Sequence, residues 1–379
     1  MYRKGGQMSQ DEYKKMVDVM KSRQGPYAGM DISEFYELVQ ELFIPEQAQI
    51  NNVLSRKPAS AEDIAEKLGQ DVNHVRRTLE NMADSGLCGA VAMEHETRYF
   101  GLPFMPGIFE FWFISGRERE KDKKVANLIH AYKKAYVAAA GARTTPFPVT
   151  RVIPVNKTIR AGNTIHTYDQ VATYIEKYDP VCVGACYCRH AAKLRGEDIH
   201  GMPLEVCMWF GKTAEHFIER MGVRKVSKQE ALEILDRTEE AGLIHMSRNT
   251  TDDIEFLCNC DRWHCEVVTG IMKQPKPGMF FNSGYEPVVD PESCMSCGTC
   301  IERCPPHALK MDENMENPTL NRDMCFGCGV CATGCPEGAI SMDAKPDFPT
   351  PPRDLRELAA ALKGGKVESQ QAVSVHKDG

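Results

Sequence analysis

Two stretches near the C-terminal end of the chain carry eight of its sixteen cysteines. They read CMSCGTCIERCPPHALKM at residues 294–311 and CFGCGVCATGCPEGAISM at residues 325–342. Each has the spacing C-x2-C-x2-C-x3-C-P, and the two align at an offset of 31 residues. A repeat at a fixed offset is one structural unit used twice. The clustered thiols of each unit predict a metal centre.

This motif resembles that of the bacterial two-cluster 4Fe–4S ferredoxins. Three thiolates separated by two residues each can reach different irons of one cubane, and the fourth, followed by proline, points to the other cubane. The resemblance implies that Cys294, Cys297, Cys300 and Cys335 bind one cluster and that Cys325, Cys328, Cys331 and Cys304 bind the second. Gly298 and Gly329 would let the backbone approach the inorganic sulfur.

Structural zinc at paired C-x-x-C motifs is the alternative for these repeats. Zinc needs four ligands, whereas each repeat supplies a regular set of three cysteines plus one that ends in C-P. This pattern favours iron–sulfur clusters.

Seven further cysteines come from three separate places. CVGACYCRH supplies Cys182, Cys186 and Cys188, PLEVCMWFG supplies Cys207, and LCNCDRWHC supplies Cys258, Cys260 and Cys265. The order C-x-C-R, P-L-E-x-C, E-E-x-G-L-I-H and C-N-C resembles a cysteine-rich module that precedes the dicluster domain in some electron-transfer proteins of anaerobes. The resemblance implies additional redox metal. This chain departs from the module at His200, where the family tends to have cysteine, and at CNCDRWHC, where the family has more cysteines.

We expect Cys186, Cys188, Cys258 and Cys260 to bind a third 4Fe–4S cluster, with Cys207 as the main substitute. Two C-x-C pairs on facing loops could close a cage of four thiolates. Zinc or another structural metal, and buried thiols without metal, stay open as alternatives. The isolated Cys88 is predicted to be a small core residue.

The elements that position these cysteines can also be predicted. Ser227 and Glu230 form a capping box, and Ala231, Ile234, Leu235 and Thr238 recur at helical spacing, which predicts a scaffold helix between the cysteine segments.

Further toward the N-terminus, AEDIAEKLG and DVNHVRRTLENMADSGL predict two amphipathic helices, the first capped by Ser60, and AVAMEHETRYFGL predicts a two-stranded wing. This order resembles the winged-helix fold. The second helix carries Asn73, His74, Arg76 and Arg77, but residues 46–101 hold nine Asp and Glu against six Lys and Arg. Phosphate binding requires the opposite balance, so we expect the wing to contact protein rather than DNA.

Two other segments have clear patterns. YFGLPFMPGIFEFWF, residues 99–113, contains seven aromatic residues and is expected to pack in a core rather than to anchor a partner. KKVANLIHAYKKAYVAAAGA predicts a long helix, and the C-terminal region predicts a proline-rich linker, one short helix and a disordered tail.

Composition and charge predict the compartment of the protein and the kind of surface that it contacts. The N-terminus lacks an apolar signal core, and no apolar run reaches the roughly 18 residues that span a bilayer, so we expect a cytoplasmic protein. Residues 286–343 hold ten Asp and Glu against three Lys and Arg, a net charge of −7. This value equals the net charge of the whole chain. An acidic electron-transfer face suits a basic partner surface.

Together these patterns predict an α+β multidomain protein. The expected parts are an N-terminal helical segment (1–45), a winged-helix-like domain (46–115), a helix and linker (116–155), a mainly helical cysteine-rich domain (156–283), a ferredoxin-like dicluster domain (284–345), and a proline linker with a short helix and a flexible tail (346–379).

The leading hypothesis is an iron–sulfur electron-transfer subunit of an anaerobic oxidoreductase complex. It would relay single electrons through two or three clusters between flavin or metal centres of partner subunits, without catalysis of its own. One alternative is a redox-sensing winged-helix transcription regulator. Another is a catalytic subunit whose middle domain holds a site-differentiated cluster near His264 and Cys265.

Overall fold

The computed structural model describes residues 3–141, 148–160, 170–252, 254–346 and 348–364, without the side chains of residues 3–9 and 156. The chain forms two compact units, one from Met1–Arg143, Gly184–His200 and Glu215–Arg224, and the other from Thr144–Val183, Gly201–Ala214 and Lys225–Gly379. Helices and strands are mixed, as the α+β class requires. The predicted flexible tail after residue 364 lies outside the described residues.

The first unit is mostly helical, with one β-hairpin. Its elements are α1 (Arg3–Ser22), α2 (Ser33–Leu42), α3 (Pro45–Val53), α4 (Ala61–Leu68), α5 (Val72–Asp84), β1 (Gly89–Ala92), β2 (Thr97–Phe100), α6 (Phe109–Phe113), α7 (Glu120–Ala140) and, later in the chain, α9 (Tyr187–Leu194).

Local sequence explains the hairpin and the two helices before it. The Ser60 hydroxyl accepts a hydrogen bond from the Asp63 N–H and so caps α4, as predicted, and the Asp71 carboxylate caps α5 in the same way. Strands β1 and β2 pair antiparallel. The helix, helix and hairpin order of the predicted winged helix is therefore present, and assignment to that fold family stays a prediction.

The aromatic segment at residues 99–113 belongs to the core of the first unit. Tyr99, Phe104, Phe109, Trp112 and Phe113 are all buried, and the Phe104 and Phe109 rings stack 4.9 Å apart. Burial of these rings confirms the prediction of core packing.

The second unit contains a six-stranded sheet in the order β3-β7-β8-β5-β4-β6. The strands are β3 (Thr150–Val152), β4 (Val181–Ala185), β5 (Glu205–Phe210), β6 (Arg224–Val226), β7 (Ile244–Arg248) and β8 (Phe256–Cys260). Helices α8 (Val171–Lys177), α11 (Lys228–Glu240), α12 (Glu266–Ile271) and α13 (Pro277–Phe280) connect or follow them, and α10 (Gly211–Met221) begins in the second unit and belongs to the first from Glu215 onward. The sequence predicted only the mainly helical character of this region and missed the sheet.

The scaffold helix predicted in this region is confirmed as α11. The Ser227 hydroxyl accepts a hydrogen bond from the Glu230 N–H, and Ala231, Ile234, Leu235 and Thr238 form the buried face.

The two cysteine repeats fold as a pair of similar turns and short helices. The elements are β9 (Tyr285–Val289), α14 (Thr299–Arg303), β10 (Leu309–Met311), β11 (Pro318–Leu320), α15 (Val330–Thr333) and β12 (Ile340–Ala344), followed by α16 (Leu355–Leu362). Strands β9 and β12 pair antiparallel, as do β10 and β11. Each repeat thus contributes one short helix and one strand of each pair.

Residues 150–160 link the large sheet to the repeats. After β3, the Val155 N–H donates to the Cys328 carbonyl, Ile159 forms a parallel bridge to Met342, and the Arg160 N–H donates to the Met342 carbonyl. This segment therefore belongs to both structures.

Candidate metal centres

A small cavity lies among the loops of the first repeat. Four cysteines line it, three from the first repeat and one from the second: Cys294, Cys297, Cys300 and Cys335. Cys300 is buried and packs in the same apolar cluster as Cys335, while Cys297 is exposed. These are the four cysteines that the ferredoxin resemblance assigns to one cluster.

A second small cavity has the reciprocal composition. It is lined by Cys325, Cys328 and Cys331 of the second repeat and by Cys304 of the first. All four thiols are buried, and Cys304 packs directly with Cys325. The rest of its lining is glycine and apolar residues. We call the first cavity the outer site and the second the inner site.

Local backbone geometry explains how each loop turns around its cavity. Gly298 and Gly329 have φ angles of 75° and 82°, in the left-handed region, and each immediately precedes the short helix of its repeat. In the inner site, the Ala308 N–H lies 3.2 Å from the Cys304 sulfur and the Gly327 N–H lies 3.3 Å from the Cys325 sulfur. Backbone donors of this kind orient cysteine ligands and tune a cluster.

Burial raises cysteine pKa values in both sites. It raises the pKa of Cys304 to about 11 and also raises the pKa values of Cys325, Cys328 and Cys331 in the inner site, and it raises the pKa of Cys300 in the outer site. In the outer site, the hydrogen bond with the Thr299 hydroxyl lowers the pKa of Cys297. Buried thiolates need compensating positive charge, which iron supplies. The donor sets of both cavities therefore fit thiolate-ligated clusters.

Arg303 is the last residue of α14. Its guanidinium donates to the Glu239 and Glu240 carbonyls, each at 3.0 Å, and to the Val330 carbonyl at 3.3 Å. Burial lowers the pKa of Arg303, and its interaction with Cys331 and Cys328 opposes that shift. The guanidinium thus joins α11 to α15 and places positive charge beside the inner site.

The structure distributes the predicted third-site cysteines over both units. Cys186 precedes the first residue of α9 and Cys188 lies within that helix, in the first unit. Cys207, Cys258 and Cys260 lie in the second unit, on strands β5 and β8. The sequence predicted both C-x-C pairs on loops, and this prediction was wrong. One pair lies at the start of helix α9 and the other lies on strand β8. Alternation along a strand explains the second pair, because residues two apart point to the same face.

Cys265 was absent from the predicted ligand set, although the structure groups it with two members of that set. The Cys260 thiol is in hydrogen-bonding contact with the thiols of Cys258 and Cys265, and these contacts raise its pKa well above the ordinary value. The close spacing of the three cysteines in CNCDRWHC is the sequence feature that could have indicated this grouping.

The remaining candidates have other surroundings. Cys88 is buried in the core of the first unit, as predicted. Its sulfur lies 3.7 Å from the Leu79 carbonyl oxygen. His190 Nε2 lies 2.9 Å from the Arg117 carbonyl, and His264 Nδ1 lies 3.3 Å from Asp261 Oδ2. His200 is exposed and lies in the first unit.

The sixteen cysteines form no disulfide. Within the described residues, no three His, Cys, Asp or Glu side chains are spaced as ligands of a single metal ion. In the same part of the chain, each helix is too short or too polar to cross a bilayer.

Comparison with known families agrees with the geometry of the repeats. The family described as the 4Fe-4S dicluster domain matches residues 269–340, a segment that includes all eight cysteines of the two cavities. None of the curated proteins compared with the chain matches it. The match supports a role in iron–sulfur electron transfer for this segment.

Proposed function

We propose that this chain is an electron-transfer subunit of an anaerobic oxidoreductase complex and relays single electrons between redox centres of its partner subunits. The outer and inner sites would each hold one 4Fe–4S cluster. The observation that carries the proposal is the reciprocal lining of the two cavities, each by three cysteines of one repeat and one of the other.

The cysteines of the outer and inner sites differ in exposure, and this difference indicates which site exchanges electrons with a partner. Cys297 of the outer site is exposed, whereas every cysteine of the inner site is at most 8% exposed. A bound cluster accepts or gives one electron at a time. The outer site is therefore the place for exchange with a partner, and the inner site is the place for electrons held away from water.

The surface around the outer site supports contact with a protein partner. Met295 and Met315 are 60% and 66% exposed, and the Ser296 hydroxyl joins their loops by a hydrogen bond to the Glu316 carbonyl. The exposed carboxylates Glu292, Glu313 and Glu316 lie within three residues of these methionines in the chain. An apolar centre with an acidic rim suits a partner with a basic rim, such as a flavoprotein or another metalloprotein.

Metal analysis of the anaerobically purified full chain tests the proposal directly. We expect at least about eight iron and eight acid-labile sulfide per chain, and reduced samples should show two interacting EPR signals. Much less iron, or zinc in its place, would refute the electron-transfer function.

The acidic rim is tested by the rate at which reduced methyl viologen, a small cation, reduces the protein. Each transfer oxidises one viologen radical and reduces one cluster. We expect the rate to fall as salt is added, because salt screens the attraction. The double variant Glu313→Gln and Glu316→Gln should weaken the dependence of this rate on salt. Glu233→Gln, at an exposed position of α11, should leave the dependence unchanged. A rate independent of salt in the parent protein would exclude the rim as an electrostatic guide.

A further inference from the structure

Four cysteines outside the repeats lie in the second unit around one end of strand β8: Cys207, Cys258, Cys260 and Cys265. The outer and inner sites use none of them. Cys207, Cys260 and Cys265 are at most 4% exposed, and Cys258 is half-buried. Their arrangement follows from the sheet.

The register of β5 and β8 brings Cys207 to Cys258. Met208 pairs with Leu257 and Trp209 with Phe256, so the same antiparallel register, continued by one residue, sets Cys207 opposite Cys258. The Asn259 side chain agrees with this continuation, since it donates to the Val206 carbonyl. Residues directly opposite each other point to the same face, with Cβ atoms about 4.5 to 5.5 Å apart.

The other two cysteines join this face through β8 and the turn that follows it. Cys258 and Cys260 are two residues apart on the strand and share one face. Cys265 immediately precedes α12 and packs in one cluster with Cys260, and Cys258 packs against the same cluster. A chain of neighbouring thiols therefore runs from Cys207 to Cys265.

This group lies next to the inner site. Cys260 and Cys265 pack in one apolar cluster with Phe281, Phe326 and the inner-site Cys328. Arg262, between them in sequence, donates to the Cys304 carbonyl at 3.3 Å. The same cluster of packed side chains therefore contains cysteines of this group and a cysteine of the inner site.

We propose that Cys207, Cys258, Cys260 and Cys265 bind a third 4Fe–4S cluster that exchanges electrons with the inner site. This ligand set replaces Cys186 and Cys188 of the sequence prediction by Cys207 and Cys265. Ligands of a cubane bind different irons, so they need not have the spacing of ligands to one ion, which these residues lack. The inference rests on the proposed function and completes it, because it gives the relay an inner terminus.

Iron counting on variants of the full chain separates the two ligand sets. We expect about twelve iron per chain in the parent protein. Cys265→Ala and Cys207→Ala should each lose about four, while Cys186→Ala and the core control Cys88→Ala should keep all twelve. Loss of four iron in Cys186→Ala together with full iron in Cys265→Ala would overturn the inference.

Anomalous iron scattering from crystals of the parent holoprotein decides the question even if a variant fails to fold. A third iron peak in contact with the four sulfurs is expected. A zinc peak there, or a third iron peak held by Cys186 and Cys188, or iron at the two repeat cavities alone, would each overturn the inference and leave the electron-transfer function in place. Absence of iron from the repeat cavities would instead overturn the proposed function.

Discussion

Removal of the positive charge of Arg303 should make the inner site harder to reduce. The Arg303→Gln variant keeps a side chain of similar reach with a hydrogen-bond donor but loses the cation that lies between α11 and α15. An electron added to the inner site is stabilised by a nearby cation, so loss of this cation lowers the reduction potential.

The size of the effect follows from Coulomb's law. The guanidinium binds the Val330 carbonyl, and Val330 is adjacent to Cys331 in the chain. If about 8 to 10 Å separates the charge from the cluster centre, the interaction is about 1.7 to 2.1 kcal/mol at an effective dielectric constant of about 20. For one electron this corresponds to about 70 to 90 mV.

Redox titration of the holoprotein monitored by EPR measures this shift. The potential of the inner site should fall by about 70 to 90 mV in Arg303→Gln and should change much less in Arg303→Lys, which retains the charge. Arg237→Gln, with the same loss of charge at an exposed position of α11, serves as the control. No shift in Arg303→Gln, or an equal shift in Arg237→Gln, would refute a local effect of Arg303 on the inner site.

Three more predictions concern other parts of the chain. A Cβ at Gly329 would lie 2.9 Å from Thr158 Oγ1, whereas one at Gly298 would meet nothing within 4 Å, so Gly329→Ala should destabilise the protein by about 1 kcal/mol more than Gly298→Ala in thermal unfolding. Equal losses of stability in the two variants would show that contact between the added Cβ and Thr158 does not destabilise the protein. Burial raises the pKa of Cys88 to about 12, and Cys88→Ala should keep full iron while it loses about 1 kcal/mol of stability; reduced iron would make Cys88 a ligand. Arg76 on α5 is ion-paired with Glu62, so a DNA duplex should not be retarded at about 50 mM salt in either redox state; a redox-dependent shift would favour the regulator hypothesis.

The eight cysteines of the two cavities were predictable because their information is local. Three cysteines of each set lie within seven residues, and each repeat also carries, at a fixed spacing before a proline, the cysteine that completes the other set. The crossing of Cys304 and Cys335 to the opposite cavity came from the family resemblance, since spacing alone does not specify which cavity a distant cysteine faces.

The middle region was harder to predict because its contacts are not local. Cys207 and Cys258 become neighbours only through the register of β5 and β8, and that pairing depends on the strand order of the whole sheet. In FLCNC only the last three residues alternate between apolar and polar, a pattern too short to distinguish a strand from a loop.

The segment at residues 150–160 also affects how the protein is made. Arg160 and Asp343 interact although 183 residues separate them, so this segment leaves the ribosome long before its partners exist. Contacts of such high sequence separation form late in folding. Strand β3 can pair with β7 earlier, but the residues after it, from Val155 to Arg160, find their partners only when the cysteine repeats have been synthesised. Cofactor insertion, which needs those same repeats, would then be coupled to the last stage of chain folding rather than follow it.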